Sequence, residues 1–343
     1  MRIKAFIKTL FLLILAFLTL CPGLEASEVA AYTPVFKPYI EKGGLRIAIR
    51  QFERKGKTGF LTVDPFTFET HLTETITEEE AKKEVVDAAP STTLDTKGLN
   101  VVDAVPSRVV LGAPFVKALY RYTSGPVRLQ NHGIRRAEKN SGGVFLTADL
   151  CPSKRPFEKE MFIATTAMPR GNRPVPIALA ISGRWIKAHM EELDWILREI
   201  KGGRLQVTWI NHSYTHPFAA NRPLKDDFLL TEGVDFEREV LDNERLMLSS
   251  GITPSPFFRF PGLIADKKVM EKLRALSLIP VGADAWLAKG EGPSDGSIIL
   301  VHGNGNEPKG VEKLLRLYGE KKDEFRNGAM KLLPLPLAFS GAE

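Results

Sequence analysis

Cysteine is nearly missing from this chain: Cys21 and Cys151 are the only two in 343 residues. If the N-terminal segment is removed, Cys151 stands alone and no internal disulfide can form, so stability has to come from the core. Net charge is scarce too. Forty-seven Lys and Arg against 41 Asp and Glu leave only +6. No stripe of basic residues interleaved with aromatics runs through the sequence, which excludes a nucleic-acid-binding reading. A mildly basic surface still suits an anionic cell-wall or glycan partner. Internal repeats and low-complexity tracts are absent. Phosphate loops are absent as well: Gly303-Asn304-Gly305-Asn306 and Ser182-Gly183 lack the spacing and the lysine that phosphate binding needs.

Long apolar runs occur once, at the N-terminus. Arg2, Lys4 and Lys8 precede the run from Phe11 to Leu20, and Pro22-Gly23 and the small residues Ala26 and Ser27 follow. That order is the pattern of a secretory signal peptide over residues 1–26, with an uncleaved anchor as the alternative. The run is short for a stable membrane span. Leu20 is too large to precede a lipidated cysteine at Cys21. The expected destination is periplasmic or extracellular.

The remaining length can bury one large core or two modest ones. Residues 31–141 read as an N-terminal accessory region. Strands are expected at Leu45–Ile49 and Gly59–Val63, a short helix opening at Glu78-Glu79-Glu80, and a loop entering a strand over Val105–Gly112. His71 and His132 are isolated and read as ordinary surface or structural residues. From residue 142 onward apolar runs alternate with helical patterns, which predicts a mostly parallel α/β fold. Strands are expected at Val144–Asp149, Val175–Ser182, Leu205–His212, Phe257–Phe260, Ile279–Asp284, Ser297–His302 and Met330–Leu335. Helices are expected over Trp185–Ile200, Asp235–Ser250, from the Asp266 cap to Leu276, and over Val311–Glu324.

Histidines are few, six in all, and two of them, His212 and His216, stand four apart after a strand. On a helical turn that spacing points both rings the same way and makes a grip for a divalent ion. Asp149, His212, Arg259, Asp284 and His302 each end an expected strand. In β/α barrels those ends converge on the face that carries the chemistry.

In this constellation the chain resembles the polysaccharide deacetylases, the NodB-homology domain of carbohydrate esterase family 4, over residues 142–337. Thr147-Ala148-Asp149-Leu150-Cys151-Pro152 corresponds to the family's Thr-Phe-Asp-Asp-Gly-Pro. His212-Ser213-Tyr214-Thr215-His216 corresponds to His-Ser/Thr-x-x-His, and Arg259-Phe260-Pro261 to Arg-x-Pro. Asp284-Ala285-Trp286 and Leu300-Val301-His302 are similar to the last two motifs. The resemblance implies a distorted (β/α)7 TIM-like barrel preceded by a small α+β region. It implies a hydrolase acting on linear amides, which removes N-acetyl groups from peptidoglycan, an exopolysaccharide or a chitin-like glycan. A divalent metal on His212 and His216 is implied, zinc first, with cobalt or nickel as alternatives. Asp149 is implied as the general base, Arg259 as its orienting partner, His302 as the general acid and Asp284 as the residue tuning it. Trp286 and Tyr214 would line the substrate groove.

Leu150 departs from the family, which has a ligating Asp there. The departure leaves the metal on two histidines plus water and Asp149, calls on another carboxylate such as Asp226 or Asp227, or makes metal affinity poor. It also motivates a second reading, a carbohydrate-binding pseudoenzyme; an O-acetyl esterase is a third. Cys151 reads as a small residue at the family's glycine position, with a Cys–His nucleophile pair as the other reading.

Overall fold

The structure, a computed structural model, describes residues 28–41, 43–74, 93–94, 100–101, 107–137, 141–168 and 174–339. The leader-like segment 1–26, the helix expected at Glu78 and residues 105–106 lie outside the described residues. Among the described residues no helix is long and apolar enough to cross a membrane.

An antiparallel meander comes first: β1 (Val29–Glu41), β2 (Gly44–Arg54), β3 (Lys57–Val63) and β4 (Thr70–Glu74), paired in that order. Pro34 and Pro38 hide β1 from a sequence reading, because proline lacks the N–H of a ladder. They are tolerated because β1 is an edge strand with two register shifts. A two-residue pair, β5 (Thr93–Leu94) with β6 (Asn100–Val101), follows. Next come α1 (Ser107–Gly112) and α2 (Pro114–Thr123). The strand expected to follow Val105 is therefore a helix. Its valines read as β-branched strand residues, yet Val110 turns one helical face into the core while Val109 stays exposed.

The second unit of the fold is a seven-stranded, all-parallel sheet curved into a distorted (β/α)7 barrel. Its strands are β7 (Phe145–Leu150), β8 (Val175–Ile181), β9 (Leu205–Asn211), β10 (Phe257–Phe258), β11 (Ile279–Pro280), β12 (Ala285–Trp286) and β13 (Ile298–His302). Their spatial order is β11-β10-β9-β8-β7-β13-β12. The helices are α3 (Lys159–Thr166), α4 (Gly183–Ala188), α5 (Met190–Lys201), α6 (Phe236–Ser249), α7 (Lys267–Ala275), α8 (Pro308–Glu320) and α9 (Lys322–Asn327). The single helix expected over Trp185–Ile200 breaks at His189, whose backbone leaves the helical region at φ −133°. The closing strand expected at Met330–Leu335 is only an isolated bridge between Leu332 and Val144.

The alternation in β7 explains how the barrel divides. Leu146, Ala148 and Leu150 pack outward against the helices, with Met161, Phe162, Trp185 and Ile186. Phe145 points inward, into a cluster shared with Leu45, Ile47, Ile49, Leu61, Phe68 and Phe115 of the N-terminal region. Phe68 stacks on Phe339 at 4.9 Å, and Phe339 on Phe257 at 5.1 Å, filling this end of the barrel. Residues 130–137 bridge Ile264, Val281 and Ser297, so the N-terminal region also runs across both flanks of the curved sheet.

One ion pair ties the meander to the barrel. Arg50 on β2, fully buried, donates from Nε to Glu244 Oε2 of α6 at 2.7 Å and from a terminal nitrogen to Oε1 at 3.1 Å. Its remaining nitrogen reaches the carbonyls of Ile49 and Leu276, and the Tyr32 hydroxyl donates to the same carboxylate. Removing one partner of such a pair strands the other charge in the interior. Glu244→Ala is therefore expected to lower unfolding free energy by about 3–5 kcal/mol in urea titrations. A loss within about 0.5 kcal/mol, the size of an ordinary surface change, would show that the pair does not hold the two regions together.

Candidate active site and metal centre

Four of the five residues that the sequence placed at strand ends converge: Asp149, His212, Arg259 and His302. Parallel register sets His302 directly beside Asp149. Arg259 arrives from the end of β10 and His212 from the end of β9. Asp149, His212 and His302 line a cavity of about 510 Å³ with Cys151, His216, Trp286, Phe218, Phe228 and Glu307, and Arg259 lies buried behind Asp149.

Arg259 is completely buried and every arm is used. One terminal nitrogen donates to Asp149 Oδ1 and to Thr147 Oγ1, both at 2.7 Å. The other donates to the Gly282 carbonyl and Nε to that of Val281. Burial by itself would raise the Asp149 carboxyl, but Arg259, helped by His212 and His302, outweighs it and holds Asp149 below the usual carboxylate range. Asp149 therefore stands ionised, with Oδ2 turned toward His212 at 3.7 Å.

The His212–His216 turn is not helical. Ser213 and His216 take left-handed backbone conformations, at φ 65° and 50°. This turn, rather than a helix face, brings the two rings to 4.9 Å between centroids. Such backbone is held by its surroundings. Asn211 Oδ1 accepts from Ser213 N, and Glu239 of α6 accepts from Thr215 N and Thr215 Oγ1. His212 Nδ1 lies 2.8 Å from the Arg259 carbonyl, which makes Nδ1 a donor and turns Nε2 toward Cys151 Sγ.

Cys151 sits just past β7 and turns back into the cavity. Its Sγ is 3.4 Å from His212 Nε2, and its carbonyl accepts from Asn304 Nδ2 at 2.8 Å. The ligand atoms of Cys151, His212 and His216 lie within 4.8 Å of one another, and so do those of Asp149, Cys151 and His302. Desolvation would raise the thiol, but His216 and His212 overcome it and push Cys151 well below its ordinary range. His216 Nε2 is buried with no hydrogen-bond partner. Two imidazoles, one with an unpartnered buried nitrogen, and a thiol whose ligand atoms lie this close together suit a divalent cation, so the residues present fit a metal.

Four sequence expectations need correction. Asp284 does not attend His302. Its carboxylate accepts from Arg136 Nε at 2.7 Å, from Ser297 Oγ and from Ile298 N, which makes it a tie between residues 130–137 and β13. The carboxylate at His302 is Glu307, whose Oε2 lies 2.8 Å from Nδ1, within ion-pair distance though the ring N–H is not aimed along a hydrogen bond. Tyr214 is not among the cavity-lining residues. Its ring lies on Gly183, where any Cβ would come within 2.4 Å of it, and under Lys187 Nζ at 5.2 Å. Asp226 and Asp227 do not reach the site either: Asp227 caps its own loop, accepting from Ala219 N and Phe228 N, and Asp226 is exposed. Trp286 does line the cavity, with its Nε1 donating to Glu307 Oε2 at 2.9 Å.

Burial alone would lower His302, but Cys151, Glu307 and Asp149 reverse this and raise it well above the ordinary imidazole range. Its resting form is the cation. Glu307 was not singled out in the sequence; it lies five residues past His302 on the approach to α8, where acidic residues read as ordinary helix starts.

No family model matches the chain. Solved structures similar to it include a family 4 carbohydrate esterase from Bacillus anthracis, at 17% identity over 62% of this chain and 89% of that one, with a TM-score of 0.44. PdaA of Bacillus subtilis, another family 4 carbohydrate esterase, is 13% identical over 64% of this chain and 96% of its own, also at 0.44. A mutant of a Bacillus anthracis family 4 pseudoenzyme, with restored enzymatic activity, is 15% identical over 88% and 91%, at 0.42.

Because Glu307 favours the charged imidazole, Glu307→Gln is expected to lower the pH at which His302 deprotonates in the metal-free protein. With only six histidines, NMR titration of labelled imidazoles can follow it. A titration unchanged from the parent would mean that Glu307 does not set the charge of His302.

Proposed function

We propose that this chain is an exported, metal-dependent hydrolase that removes N-acetyl groups from a glycan. The observation that carries the reading is the meeting of Asp149, His212 and His302, from three strand ends, with Cys151 and His216 around one cavity, and Arg259 from a fourth strand end bonded to Asp149 behind it. The five motif resemblances along the sequence support the same reaction class. The leader-like N-terminus supports export, and the excess of basic residues suits an anionic cell-wall polymer.

His212 and His216 would hold a divalent ion, which would supply Lewis acidity toward the acetyl carbonyl and a water. Asp149 accepts a proton from the attacking water. Arg259 keeps that carboxylate ionised and fixes its direction. The water oxygen bonds to the carbonyl carbon, the carbon–nitrogen bond breaks, and His302 delivers a proton to the departing amine. Glu307 holds His302 in its protonated form and joins it to the indole of Trp286. Trp286 offers an apolar wall beside His302, at 6.3 Å between rings, for an acetyl methyl or a sugar face. Phe218, exposed at the mouth and 5.3 Å from Phe228, extends that surface toward a longer glycan.

Acetate and free amine are expected in equal amounts when the metal-loaded protein meets N-acetylated oligosaccharides. Asp149→Asn is expected to cut turnover by about 10²–10⁴ while glycan binding survives, since the carboxylate acts on the proton rather than on the sugar. Acetate released without free amine would point to an ester substrate. No release by the parent from any acetylated glycan would contradict the hydrolase reading and favour a binding protein.

A further inference from the structure

Two histidines leave an ion short of the three protein ligands that catalytic zinc sites hold. The carboxylates named from the sequence do not fill the gap. Leu150 faces the helices and is fully buried beside Met161 and Phe162. Asp227 is spent on its own loop. Asp149 gives one oxygen to Arg259 and keeps its other 3.7 Å from His212.

We propose that Cys151 is the third protein ligand of this centre, and that its sulfur makes the site select zinc and other thiophilic ions over magnesium, calcium and manganese. The proposal deepens the hydrolase reading and rests on it. Zinc bonds of about 2.3 Å to sulfur and 2.0 Å to nitrogen, meeting at a tetrahedral angle, set the two donor atoms about 3.5 Å apart. Cys151 Sγ and His212 Nε2 are 3.4 Å apart. The Arg259 carbonyl anchors the far nitrogen of His212, the outer-partner arrangement that orients a metal-binding imidazole. His216 Nε2, buried and unpartnered, completes the triangle. Asn304 holds the Cys151 backbone from behind. A thiol nucleophile paired with His212 would leave His216 Nε2 unsatisfied, whereas one shared cation satisfies all three donors. Three protein ligands would leave a fourth position for water, and Asp149 and His302 lie beside the same cysteine.

The test is the optical spectrum and stoichiometry of the full-length, metal-free protein loaded with cobalt(II), beside Cys151→Ser and Cys151→Asp. The parent is expected to bind one equivalent and to show an intense thiolate-to-cobalt charge-transfer band. Both variants are expected to lose the band. Cys151→Ser should weaken zinc binding by more than the roughly 10–100-fold that loss of an outer partner costs. Cys151→Asp should bind zinc more weakly and manganese more tightly than the parent. Unchanged near-ultraviolet circular dichroism of the metal-free variants separates these effects from misfolding. Cobalt bound by the parent without the band, or parent-like zinc affinity in Cys151→Ser, would overturn the ligand assignment. Acetate release by the parent in that case would leave the hydrolase reading standing. The band without acetate release would support the ligand and remove the hydrolase.

Discussion

The buried guanidinium of Arg259 is the constraint on which the site depends. It reaches β7 through Thr147 and Asp149, and it reaches the carbonyls of Val281 and Gly282 beyond β11. Its own carbonyl receives His212 Nδ1. One residue thus sets the ionisation of Asp149, the tautomer of His212 and the spacing of three strand ends. An unpaired guanidinium inside a protein carries a desolvation cost of several kcal/mol, so this arrangement persists only with every partner in place. Asp149, the proposed general base, is one of the groups that satisfy that charge.

A second network supports the first from behind. Arg50 on the meander binds Glu244, which accepts from Asn211, and Asn211 in turn fixes the backbone of Ser213 inside the histidine turn. Asn243 adds a bond to Asn211 and another to the end of β8. The N-terminal region is therefore more than a cap on the barrel. Its strands fill one end of the barrel interior, and its buried Arg50 is connected, through α6, to the loop that holds two metal-ligand candidates.

Four of the barrel's strands were legible as runs of apolar residues closed by one ionisable group, and β8 as an apolar run closed by Ser182. The same feature exposed Asp149, His212, Arg259 and His302 before any coordinates. Partner identity was not legible in this way. Asp284 reads in the sequence as the end of a strand, but it stands just before β12, where Arg136, from the segment crossing the sheet, captures it. Glu307 and Cys151 belong to loops, where position depends on turns rather than on periodicity. Glu307 needed the approach to α8 to swing beside His302. Cys151 needed the outward turn of Leu150, which places the next residue in the cavity. The edge strand β1 was masked by its prolines, and α1 by valines whose strand preference the tertiary packing overrides.

The central claim is that this cleft holds one divalent ion for hydrolysis. Its most direct test is the metal content of the mature protein, purified without chelator and measured by mass spectrometry beside the His212→Ala/His216→Ala double variant. About one equivalent of a transition metal in the parent, absent from the variant, is the expected result. A parent that stays metal-free when zinc or cobalt is supplied would contradict the account.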